Sequence, residues 1–120
     1  MFIVAQHGKQ LHQFNNMKQI EPVQIWTNGI LKTAEFLQVT GINDNYESSA
    51  TNYWALFTKV IEMRGINEDL PVEVAGELIA QGNTTISGES YVEWGDVPAM
   101  SINAWIYDWT AEQINVVILP

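Results

Sequence analysis

The alternation of apolar and polar residues is clearest near the start of the chain. Val23-Gln24-Ile25-Trp26-Thr27 and Ile30-Leu31 flank Asn28-Gly29. Asn-Gly accepts positive φ at two adjacent positions, which a tight primed hairpin turn requires, and β-branched and aromatic residues favour strands on both sides. The second strand is expected over 30–40. Leu31, Thr33, Leu37 and Val39 share a face that Glu35 interrupts, and 41–49 reads as a polar connection. Residues 53–63 fit two periods. Tyr53, Leu56, Phe57, Val60 and Met63 suit a helix stripe; Trp54, Leu56, Thr58, Val60 and Glu62 suit a strand. The dominance of aromatic and β-branched residues, without a capping signal, selects the strand. A loop begins at 64–67 and closes at Asp69-Leu70-Pro71. A strand over 72–80, a turn at Gly82-Asn83 and a short extended piece over 84–86 follow.

After Ser87 the period changes. Residues 90–94 suit a helical turn or two, closed by Gly95. Asp96 can cap a following helix with Pro98 in its first turn. Ile102, Trp105, Ile106 and Trp109 then recur at helical spacing, so a helix over 98–112 is predicted to bury that stripe. Residues 114–119 read as a last strand ended by Pro120. The expected architecture is α+β: an antiparallel sheet of about five or six strands, or a sandwich-like core, with a C-terminal amphipathic helix on one face. Residues 1–20 read as an arm, with a short strand over Phe2, Ile3, Val4 and Ala5 and then an amide-rich stretch. Residues 21–120 read as one β-rich domain. At 120 residues the chain can bury roughly two-thirds of its unfolded surface, enough for a core of its own.

Charge changes this picture more than composition does. The formal charge is −9, and all of the excess lies beyond Arg64. Glu68, Asp69, Glu73, Glu77, Glu89, Glu93, Asp96, Asp108 and Glu112 are accompanied by no Lys or Arg. Such a surface repels phosphate backbones, which argues against direct nucleic-acid binding. The absence of cysteine removes disulfides, thiolate metal sites and a Cys nucleophile. No apolar run is long enough to span a bilayer, so no membrane partner is expected.

Candidate chemistry is sparse. His7 and His12 both fall in the amide-rich segment, and no third metal ligand accompanies them. Glu89, Glu93 and Asp96 form the densest acidic group; paired carboxylates can serve glycoside hydrolysis or hold Ca²⁺, but the Ca²⁺-loop spacing is missing. A solvated helix face is the plainer reading. Residues 82–88 lack the Lys of a phosphate loop. Aromatic residues are the better candidates, as sugar platforms or interface anchors. Trp105 and Trp109 are expected in the core. Trp26, beside the turn, is the stronger candidate for exposure, although core packing remains the plainer reading there too. Trp26, Tyr91 and Trp94, with Phe2 and Ile3 of the arm, are the candidate interface or ligand residues. No catalytic residue, metal or cofactor is assigned.

GNTTISGESYVEWG (82–95) followed by NAWIYDWTAEQINVVIL (103–119) resembles the ends of small proteins encoded in tailed-bacteriophage structural gene modules. VQIWTNGILKTAEFLQV (23–39) and NYWALF (52–57) sit where that pattern places its hairpin and aromatic strand. The resemblance spans residues 20–120 and implies a β-rich virion or tail-associated component, with no catalytic residues to carry over. The expectation is therefore a non-enzymatic structural or assembly protein. Its expected partners are other virion components or copies of itself. It would form an oligomer in a virion assembled in the host cytoplasm, with a cytoplasmic location as the alternative. A carbohydrate-binding module using exposed aromatics and an acidic nucleic-acid mimic are the alternative functions.

Overall fold

The computed structural model describes residues 17–120. Phe2, Ile3, both histidines and the rest of the arm through Asn16 lie outside the described residues. Four strands form an antiparallel meander in chain order: β1 (Lys18–Thr27), β2 (Ile30–Asp44), β3 (Ser49–Arg64) and β4 (Leu70–Ser87). The β1–β2 turn is the two-residue one expected, with Asn28 and Gly29 both at positive φ and Thr27 paired to Ile30. The fold is α+β, as the sequence implies.

The strands are fewer and longer than the sequence suggests. β1 begins at Lys18, within the stretch read as arm, and its Ile20 is buried. β2 runs on through the supposed connection at 41–44, because a bulge between Val39 and Gly41 keeps it in register with β3 and Ile42 is buried. β4 is continuous through Gly82-Asn83, where a turn was expected. Gly82 is Trp54's cross-strand partner, and a Cβ there would lie 2.8 Å from the Trp54 ring. The glycine makes room for an indole lying across the sheet.

Bulges interrupt every ladder: at Gln19/Val23, at Val39/Gly41 and on both sides of Phe57. They increase the local twist, and the sheet coils until its first and last strands meet. Thr27 of β1 donates its hydroxyl to the Ile79 carbonyl of β4 at 3.0 Å, and Gln19 donates its amide to Glu73 at 2.8 Å. Lys32 of β2 pairs with Glu77 at 2.6 Å, and Lys59 of β3 reaches both Glu35 and Glu73 at 3.4 Å. The hydrogen bond from Gln19 and then the Lys59 ammonium hold the Glu73 carboxyl below its usual range. Cations of the first half thus neutralise part of the acidic second half. The core gathers Ile20, Leu37, Val39, Ile42, Leu56 and Ile86 from the sheet with Trp94, Ile106, Tyr107 and Val116 from the segments that follow it.

Those segments are α1 (Gly88–Asp96), a single 3-10 turn (Ala99–Ser101) and α2 (Ile102–Gln113). Asp96 closes α1 and does not cap the next helix. Pro98 is extended, at ψ 148°, so α2 starts four residues later than expected. Its buried side chains are Ile106, Tyr107, Thr110 and Ala111. The inward face is therefore centred about one residue beyond the Trp105/Trp109 stripe. Both tryptophans are only half-buried and face α1. Their rings stack at 6.1 Å, and their indole N–H groups donate to Glu93 at 2.8 Å and Ser90 at 3.2 Å. Under α2, buried Asn52 donates its amide to Thr110 at 3.0 Å, and Thr110 donates to the Ile106 carbonyl.

Asn115 ends α2 in the left-handed region at φ 59°, and the Val116 amide bonds back to the Ala111 carbonyl at 3.0 Å. This is a Schellman-type stop with its apolar follower, Val116, buried. The last strand expected over 114–119 shrinks accordingly to one antiparallel bridge, Ile20 to Ile118. Two backbone bonds flank it, from Glu21 to the Val117 carbonyl and from Leu119 to the Gln19 carbonyl.

Candidate functional site

The carboxylates singled out in the sequence do share one region. Glu89, Glu93 and Asp96 are exposed on α1, beside a cleft of about 820 Å³ that also takes in Glu47, Tyr91 and Val92. Two of the polar groups there serve the fold. Glu93 accepts the Trp105 indole, and Tyr91 donates its hydroxyl to Asp44 at 2.8 Å. The same Asp44 oxygen accepts the Tyr46 amide at 2.8 Å, which shapes the β2–β3 turn. Tyr91 is thus a clasp between that turn and α1. Among the described residues no three His, Cys, Asp or Glu side chains converge as metal ligands.

This clasp has an alkaline signature. Burial, and then the hydrogen bond to the Asp44 carboxylate, push the Tyr91 hydroxyl up to about 12. The unfolded chain loses that proton near pH 10, the folded chain about two units later. Between those values the folded state holds more protons, so stability is intact below pH 10 and falls as pH rises towards 12. Tyr91→Phe is expected to flatten the decline between pH 10 and 12, read as the difference in urea midpoint between variant and parent. Equal slopes would place the titration elsewhere.

The aromatic candidates separate sharply. Trp94 is 1 % exposed, packed beside Tyr91 with ring centroids 5.8 Å apart, so it is core and not a ligand platform. α1 lies along the sheet with this side chain inward, a placement that a short helical segment does not announce. Trp26 is 71 % exposed, contrary to the core reading. It stands opposite Leu31 across the hairpin, and Leu31 is exposed as well. One ring beside a leucine, without convergent polar groups, suits a protein contact better than a sugar.

A further exposed apolar feature is not announced by the sequence. The last β2–β3 pair is Phe36 with Phe57, whereas β3 and β4 stay paired out to Arg64 and Leu70. Residues 58–76 therefore form a two-stranded ribbon beyond the end of the β2–β3 ladder. Val60, Ile61, Met63, Ile66 and Leu70 are all exposed along it. Among the described residues no helix is long and apolar enough to cross a membrane.

No protein-family model matches this chain, and neither a curated protein nor a solved structure is significantly similar to it.

Proposed function

We propose that the chain is a non-enzymatic structural or assembly component of a tailed-phage virion, working through protein–protein contacts. The observation that carries this reading is the exposed apolar ribbon. Soluble monomers rarely leave many apolar side chains uncovered on one element, and such surface commonly marks an interaction site. The polar groups of the α1 cleft fit the same reading, since Tyr91 and Glu93 are occupied in holding α1 to its neighbours. The sequence resemblance supplies the virion. The five exposed acids of the two helices, Glu89, Glu93, Asp96, Asp108 and Glu112, would meet a basic partner surface or stay in solvent.

The test is the protein inventory of purified particles from a phage encoding this chain. The chain is expected at a fixed number of copies per particle, and deletion of its gene is expected to stop assembly at a defined intermediate. Normal infectious particles that lack the chain would overturn the proposal.

A further inference from the structure

We infer that the outer edge of β4 over residues 80–86 is a self-association site, pairing antiparallel with the same edge of a second copy so that two sheets become one. The inference rests on the assembly reading above and names one partner and the contact. An edge strand offers unpaired N–H and C=O groups, and proteins guard such edges with bulges, proline, charge or a covering segment. β1 has three of these guards: the bulge between Gln19 and Val23, Pro22, and the cover of residues 117–119. β4 has none of them beyond Ile79, where the Thr27 hydroxyl closes the edge. Its ladder with β3 runs unbroken through eight pairs, from Leu56–Ala80 to Ser49–Ser87. Among the described residues no backbone hydrogen bond joins 80–86 to anything but β3.

This edge is complementary to itself. Its side chains alternate: Gln81, Asn83 and Thr85 are exposed, whereas Ala80, Gly82, Thr84 and Ile86 are half-buried or buried. Residues opposite one another in an antiparallel pair share a face. A twofold pairing that keeps the faces matched is therefore centred on a residue, not between two. Centred on Asn83, it sets Ala80 against Ile86 and Gly82 against Thr84 of the other copy, small against large at both places. The Trp54 indole already lies over Gly82, 2.8 Å from where a Cβ would stand. The arriving Thr84 methyl thus meets a ring and not a gap. On the outer face Gln81 meets Thr85, and Asn83 meets its counterpart, all uncharged hydrogen-bonding side chains. Charge permits the contact here. Copies that each carry −9 repel one another, but Leu78 to Gly88 holds no charged residue. The flanking carboxylates, Glu77 and Glu89, each lie three residues beyond the ladder. Glu77 is paired with Lys32 at 2.6 Å, and Glu89 belongs to α1, off the strand.

The experiment uses the whole chain in analytical ultracentrifugation from low micromolar to about 100 µM, within the range of ordinary reversible interfaces. A concentration-dependent species of twice the 13.6 kDa monomer is expected. Asn83→Lys sets two like charges face to face across the axis and should weaken the dimer by more than about tenfold. The same change makes the chain less acidic, so the loss cannot come from net charge. Asn83 is exposed, so the fold should survive, which circular dichroism verifies. Met100→Lys, at an exposed site away from β4, should leave the dimer unchanged. The chain has no cysteine, so Asn83→Cys adds a single thiol. Facing residues of an antiparallel pair have Cα atoms about 4.5–5.5 Å apart, within disulfide reach. Under mild oxidation Asn83→Cys chains should link in pairs at least about tenfold faster than Met63→Cys chains, whose thiol stands on the exposed ribbon. A monomer throughout the concentration range, a dimer indifferent to Asn83→Lys, or equal linking rates would overturn the inference. A monomer that is nevertheless found in particles refutes this inference alone. An Asn83-centred dimer absent from particles refutes the virion reading and leaves this one standing.

Discussion

Trp94→Ala is expected to remove about 3–5 kcal/mol of folding stability, the range for deleting a large buried aromatic. That is a large share of the roughly 5–15 kcal/mol that holds a domain of this size together. Trp94 is among the largest fully buried side chains, and it fills the space between α1 and the sheet. No other side chain of α1 is buried, so the cavity would loosen that helix first. The indole N–H finds no hydrogen-bond partner there. Trp94→Phe removes this unsatisfied donor along with some volume, and should cost clearly less than the alanine change. Urea denaturation of the three proteins checks both statements. Trp26→Ala is the internal control, expected within about 0.5 kcal/mol because the ring is in solvent. A Trp94→Ala loss below about 1 kcal/mol would mean that the ring is not packed as described.

Tyr107→Ala is expected to cost about as much, 3–5 kcal/mol, and the Tyr107→Phe variant divides that cost into two causes. The bulge between Val39 and Gly41 takes the Val39 amide out of the regular ladder, and this amide donates to the Tyr107 hydroxyl at 3.0 Å. Removing only that oxygen strands a buried N–H, at about 1–3 kcal/mol. The remainder of the alanine cost is ring packing against the core, together with the Lys18 ammonium lying 5.8 Å from the ring centroid. A neutral Tyr107→Phe variant would mean that the Val39 amide is satisfied in another way.

What the sequence disclosed was local. Asn28-Gly29 marked a hairpin because its backbone requirement is written in two adjacent residues, and the aromatic, β-branched run at 53–63 marked β3. The same logic misread Gly82. Glycine serves turns and close approaches alike, and only the register that puts Trp54 opposite it tells them apart. Helical spacing located α2 and grouped Trp105 with Trp109. The inward face is fixed by how α1 lies alongside, and α1's polar groups drew the two indoles towards its own flank. Of the candidates Trp26 and Trp94 only Trp26 is exposed, for a similar reason, since burial of a lone tryptophan is decided by distant chain. One signal of the ribbon was present. Apolar residues of both parities, Val60 with Ile61 and Met63, crowd the end of β3. In a strand that reads as a two-faced core; here the β2–β3 ladder stops at Phe36–Phe57 and leaves it uncovered.

The Ile20–Ile118 bridge also has a consequence for the order of events during synthesis. The three hairpin contacts of the sheet join residues close in sequence and can form as the chain lengthens. The outer edge of β1 must wait for residues 117–119, which are made after everything else in this fold. Throughout that interval β1 presents an open row of amides and carbonyls to any neighbouring chain, the situation in which unfinished sheets pair wrongly. Residues 117–119 are therefore a late latch: they contribute little to the core but close the edge of β1 over Gln19, Ile20 and Glu21.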